Sequence, residues 1–159
     1  MIRPTLFLAI LVAPAVGLSG CKNEAPAAAT QGDTVPVTVT SANGKHVFHV
    51  EVARTAEQQE RGLMFRTDLK PEGGMIFAPY PPNGGPPRAA SFWMQNTPTA
   101  LDILFIRPDG TVATLVENTV PFSQAKVESG EPVSAVLEIV GGRAAELGIA
   151  EGDTVIFPK

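Results

Sequence analysis

The chain has 159 residues, 16 acids against 12 bases, a formal charge of −4 and a single cysteine. Its bases are dispersed: Arg54, Arg61, Arg66, Lys70 and Arg88 alternate with Glu51, Glu57, Glu60, Asp68 and Glu72. That argues against nucleic acid as a partner, since nucleic-acid binders gather Lys and Arg on one face, and it gives no attraction to anionic lipid.

The first element is a leader. Met1, Ile2 and Arg3 make a basic start, Thr5 to Leu18 is apolar, and Leu18, Ser19, Gly20 and Cys21 follow as a lipobox. This resembles the bacterial lipoprotein signal, cut before a lipidated cysteine. The apolar run contains Pro14 and Gly17 and is shorter than the roughly 20 residues a spanning helix needs. Cleavage removes 20 of the 159 residues and Arg3 with them, which leaves 139 residues with 11 bases against 16 acids. Such a chain buries about two thirds of its unfolded surface, enough for one domain. With Cys21 assigned to lipid, the folded part has no thiol for catalysis, a disulfide or a metal.

Lys22 to Thr34 lacks apolar periodicity and reads as a tether. Its 13 residues reach at most about 45 Å. Stable anchoring needs at least two acyl chains, as a lipoprotein of this type carries. The expected location is therefore the cell envelope, facing the periplasm. In the enterobacterial sorting rule an Asp after the cysteine retains a lipoprotein in the inner membrane, so Lys22 favours the outer one.

From Val35 to Lys159 the sequence predicts one β-rich domain. Val35, Val37 and Val39 alternate with polar residues, Asn43 and Gly44 suit a hairpin turn, and Lys45 to Ala53 answers as a second strand. Pro36 places the first strand at an edge. Thr55 and Gln58 match a capping box, followed by a two-turn helix ending at Gly62. Further strands are expected at 74–78, 90–95, 101–107, 111–120, 134–140 and 154–157, with a second helix at 142–147 closed by Gly148. Pro108, Asp109 and Gly110 make a turn, so 101–107 and 111–117 should form a central hairpin. Leu101, Ile103 and Phe105 line one face of its first strand and Leu104 and Ile106 the other, so it should be covered on both sides. Pro79 to Pro87, with five prolines in nine residues, is a stiff surface loop or a polyproline segment for a partner. The fold class is mainly β: a compact, partly closed antiparallel barrel with two short helices.

The densest stretch is Phe92 to Ile106 (FWMQNTPTALDILFI). With Arg61 to Arg66 (RGLMFR), Gly74 to Phe77 (GMIF), Glu138, Gly148, Ile149, Gly152 and Asp153, it resembles the domain-of-unknown-function 192 family. The resemblance runs from about Val47 to Phe157. It implies a single mainly β domain, often exported, with no established reaction. The proline loop departs from the usual pattern.

Asp102 lies inside an apolar strand, and a buried carboxylate needs a cation or several donors. It either pairs with Arg66 or ties down the nearby turn, or it belongs to a polar pocket of Arg61, Arg66, Asn96, Thr97, Asp102 and Glu138 beside Trp93. Such a pocket suits a small anion or a peptide end, because an arginine fork matches a carboxylate or phosphate. Enzymatic alternatives are thin. Without GxSxG, HExxH or a phosphate loop, only Asp102 with Glu138 could act as an acid pair for a hydrolase. Met64, Met75 and Met94 with Trp93 and His49 are types that suit Cu(I), although methionines beside Leu63, Ile76 and Phe92 also read as core filling. His46 and His49 are three apart in a strand and face opposite ways. The expected activity is non-enzymatic binding of a ligand or an envelope protein, with no cofactor.

Overall fold

The computed structural model describes residues 33–158. The leader, Cys21 and nearly all of the tether lie outside them. Among the described residues no helix is long and apolar enough to cross a membrane.

The first strands follow from alternation. β1 (Thr34–Ser41) and β2 (Gly44–Ala53) form a hairpin, with Val37, Val39, Phe48 and Val50 turned into the core. Ser41 pairs with Gly44, so the turn falls on Ala42 and Asn43, one residue before its expected place. Helix α1 (Ala56–Arg61) starts on the capping box of Thr55 and Gln58 and stops at Gly62, whose φ is 48°. It is the crossover to β3 (Gly74–Phe77), which runs parallel to β2. This corrects a purely antiparallel reading. A parallel neighbour requires such a detour.

Then come β4 (Arg88–Phe92), β5 (Leu101–Ile106) and β6 (Val112–Val116), followed by β7 (Val127–Val133) and β8 (Ala135–Val140). Helix α2 (Arg143–Leu147) and β9 (Thr154–Ile156) complete the chain. Seven strands share one sheet in the order β6-β5-β8-β3-β2-β1-β9. Its ends nearly meet, through a bridge between Thr111 and Thr154 and through the amide of Val112 donating to the carbonyl of Asp153 at 2.8 Å. The sheet is thus almost a closed barrel, and closure removes unpaired edges.

Three expectations change. β1 is not an edge strand, because β9 pairs with Thr38 to Thr40; Pro36 stays beyond the reach of β9. The β5–β6 hairpin forms but sits at one end of the sheet order, not in its centre. β7 was not anticipated. It carries Gly130 and Pro132, both weak strand formers, and it pairs with β4 in a separate ribbon.

All six residues of β5 are buried, which bears out its covering on both sides. Leu104 and Ile106 enter the barrel interior with Val39, Phe48, Leu137 and Ile139. Ile103 and Phe105 face outward, under a second apolar layer with Met75, Phe77, Ala90, Met94 and Val133. The β4–β7 ribbon and its flanking loops form that outer layer.

Candidate functional site

On the outer face, one row of cross-strand partners passes through Glu51, Met75, Glu138, Ile103 and Val116. Glu138 therefore stands between Met75 and Ile103, 4% exposed. Among the described residues no cation or donor meets its carboxyl group. Burial pushes its pKa up from 4.5 to about 8. At neutral pH the group is largely protonated and offers both a hydroxyl donor and a carbonyl acceptor.

Above Glu138 lies a cleft of about 340 Å³. Its walls come from α1 and the turn after it, from Tyr80 and Pro82 of the proline loop, from the end of β4, and from Thr97 and Lys126. Gln59 fixes the helix wall: its amide nitrogen donates to the carbonyl of Ala53 at 3.0 Å and to that of Pro79 at 2.8 Å. The oxygen of the same side chain is buried and has no partner. Phe92 anchors the aromatic floor, packing edge-on against Phe77 at 5.0 Å and Phe105 at 5.8 Å between ring centroids.

Three cations border the cleft. Arg88 lies over Tyr80 at 5.7 Å and the Lys126 ammonium over Trp93 at 4.0 Å, a contact that the aromatic quadrupole favours. Arg61, exposed on the last turn of α1, has no ion pair among the described residues. Glu60 is the one other acid on the lining. The cleft thus joins an apolar, aromatic floor to a cationic rim, with the Glu138 carboxyl and the Gln59 oxygen as unpartnered polar groups.

Of the expected pocket, Arg61, Trp93, Thr97 and Glu138 line this cleft, and Met64 joins them. The others lie elsewhere. Arg66 is bonded to Glu51 at 2.8 Å and to Asp68 at 3.2 Å. Asn96 is exposed with φ 55°, and its carbonyl accepts the amide of Phe65. Asp102 does not pair with Arg66. Its carboxylate accepts the amides of Asn118 at 2.7 Å, Gly142 at 2.9 Å and Ala144 at 2.7 Å. Those donors come from a loop and from the start of α2, whose N-cap, Gly142, has no side chain to do this work.

The acid pair and the soft-metal set come apart as well. Asp102 is opposite Ile139 and Glu138 opposite Ile103, so the two acids leave the sheet on opposite faces. Met75 and Met94 are buried in the outer apolar layer, where the Met94 sulfur accepts the Thr119 hydroxyl at 3.2 Å. His49 lines a different recess, with Glu51 and Arg66. Among the described residues no three His, Cys, Asp or Glu side chains are grouped to hold a metal.

Arg88, Lys126, Tyr80 and Gln59 had escaped the sequence reading. Arg88 follows a proline loop, and Lys126 follows an irregular segment before an unexpected strand; no local pattern ties either to Glu138.

Fold and site define a small barrel-like β domain with a lateral cleft between its sheet and the elements laid over it. The chain belongs to the DUF192 family, described as an uncharacterized ACR, whose model matches residues 37–157. That match starts ten residues ahead of the motifs at Val47. The chain is similar to a protein of unknown function from Novosphingobium aromaticivorans DSM 12444, with 49% identity over 77% of this chain and 84% of that one and a TM-score of 0.72. It is also similar to a Sinorhizobium meliloti 1021 protein described as a "putative transcription regulator", with 40% identity over 78% of this chain and 93% of that one and a TM-score of 0.72. Comparison with curated proteins gives no match.

Proposed function

We propose that this protein is an envelope lipoprotein whose domain binds a small ligand with an apolar body and an anionic group. Residues 1–20 are its export signal, Cys21 carries the acyl chains, and residues 22–34 tether the domain to the periplasmic side of the membrane, with the outer membrane favoured. The ligand's body lies on Phe77, Phe92 and Trp93, its anion meets Arg61 and Arg88, and a further polar group bonds Glu138.

One observation carries this reading: a buried, unpaired carboxyl at the base of a cleft whose rim is cationic in a chain of net negative charge. Buried polar groups without partners are uncommon in folded proteins, and concave, mostly apolar sites with a few convergent polar groups are the usual form of ligand pockets. The regulator description of the Sinorhizobium neighbour is not extended to this chain, since its acidic balance opposes nucleic-acid binding.

Hexanoate and 4-hydroxybenzoate are suitable probes, titrated into the mature chain carrying Cys21→Ser while the emission of Trp93 is followed. The expected result is a saturable change that weakens about tenfold in Arg61→Ala and in Arg88→Ala, in line with the loss of one charge-assisted hydrogen bond. A flat response to both probes, or wild-type affinity in both variants, removes the anion-binding reading.

A further inference from the structure

Three loops, 63–66, 93–99 and 118–123, are laced together next to the cleft. The amide of Phe65 donates to the carbonyl of Asn96 at 2.8 Å, that of Phe122 to Thr97 at 3.1 Å and that of Met94 to Ser123 at 3.0 Å. This framework holds large apolar side chains in water: Phe65, Val120 and Phe122 are 67%, 70% and 63% exposed, and Trp93 is 40% exposed.

The backbone sharpens the point. Phe65 and Phe122 have φ of 65° and 59°, in the left-handed region, which disfavours bulky residues and suits Gly or Asn. The same loops use Asn at their other two left-handed positions, Asn96 and Asn118. Phenylalanine at two strained and exposed positions helps neither the local backbone nor the core, and strain of this kind gathers at functional surfaces. The patch also lacks acids. Residues 93–101 carry no charge, and Lys126 is the one charge in 118–127, although the chain holds 16 acids.

The place where the tether enters favours the bilayer as occupant. Thr34, at the start of the domain, lines one recess with Asp68 and with Arg66, the residue that follows Phe65. Twelve residues separate Cys21 from that point, a span of at most about 40 Å, so an anchor on Cys21 keeps the patch within reach of the bilayer. Phe and Trp, with a Lys stem beside them, are the side chains that settle at a bilayer interface.

We infer that these loops dock Phe65, Val120, Phe122 and Trp93 into the interfacial layer of the bilayer that carries the lipid anchor. The inference rests on lipidation of Cys21 as proposed above. Docking holds the cleft, which shares Trp93 with the patch, against the lipid surface, so that an amphipathic anion reaches it from the membrane.

Trp93 is the single tryptophan, which makes the test direct. The mature protein lipidated on Cys21 is reconstituted into phosphatidylcholine vesicles with and without dibromostearoyl chains. The expected result is at least twofold quenching of Trp93 by the brominated lipid. The double variant Phe65→Asn, Phe122→Asn is expected to lose most of that quenching, while it still floats with the vesicles and melts at the same temperature or higher. An unquenched Trp93 in a protein that floats overturns the docking, as does full quenching in the double variant. An unquenched Trp93 in a protein that crosslinks as a dimer assigns the patch to a second copy of the chain and also overturns the docking. Failure to float is a separate outcome: it removes the anchor itself, and the docking with it.

Discussion

Asp102 and Glu138 lie on adjacent strands, one register step apart, and their carboxyl groups leave the sheet on opposite faces. One enters the barrel and is saturated by three backbone amides; the other enters the cleft side and has no partner. Two acids with the same appearance in the sequence thus have opposite surroundings, one bound by the fold's own amides and one buried without a partner.

Asp102→Ala should destabilise the domain by about 3–5 kcal/mol, because it strips three buried amides of their acceptor at once. Denaturant unfolding measures the loss. Hydrogen exchange should also show the start of α2 and the Asn118 loop losing protection first, since these are the segments Asp102 holds.

Glu138 makes stability depend on pH in a particular direction. Its folded pKa, about 8, lies above the ordinary 4.5, so the native state holds its proton where the unfolded chain has released it. Stability is then full below about pH 4.5 and falls as pH rises toward 8, by about 5 kcal/mol at most. Glu138→Gln should remove that slope and melt above the wild type at pH 8 while matching it near pH 4. A wild-type slope that survives the substitution would assign the pH dependence to other groups.

Gly74 packs so closely on β8 that a Cβ there would land on the carbonyl oxygen of Glu138. Gly74→Ala is expected to cost about 3 kcal/mol through forced separation of β3 and β8, and to disturb the cleft base along with it. Thermal unfolding reads the first effect. The second should appear as weaker binding of any probe that the wild type takes up.

Cys21→Ser should release the protein from the membrane fraction. Fractionation of intact cells with an antibody to the domain is sufficient, and persistence in the membrane pellet at the wild-type level would overturn the lipoprotein assignment.

Most of the architecture was legible where a local rule governs it. The capping box set the start of α1, Gly148 ended α2, the Pro108 to Gly110 turn made its hairpin, and the unbroken apolar run of β5 announced a strand covered on both faces. β7 was hidden because Gly130 and Pro132 mask its pattern, and it holds through pairing with β4. The parallel placement of β3 against β2 was equally invisible, since strand order arises from long-range pairing.

The candidate site divides along the same line. The sequence by itself determined the composition of the domain, its strand periodicity, its turns and caps, its family motifs and the uniqueness of Cys21, because each of these depends on residues close together in the chain. Only the tertiary structure decided that Asp102 serves the start of α2 some forty residues away, that Arg66 is consumed by Glu51, and that Arg88 and Lys126 join Arg61 around Glu138. A carboxyl group's role follows from the donors and the burial around it, and in a barrel those are set by strands that meet across the sheet.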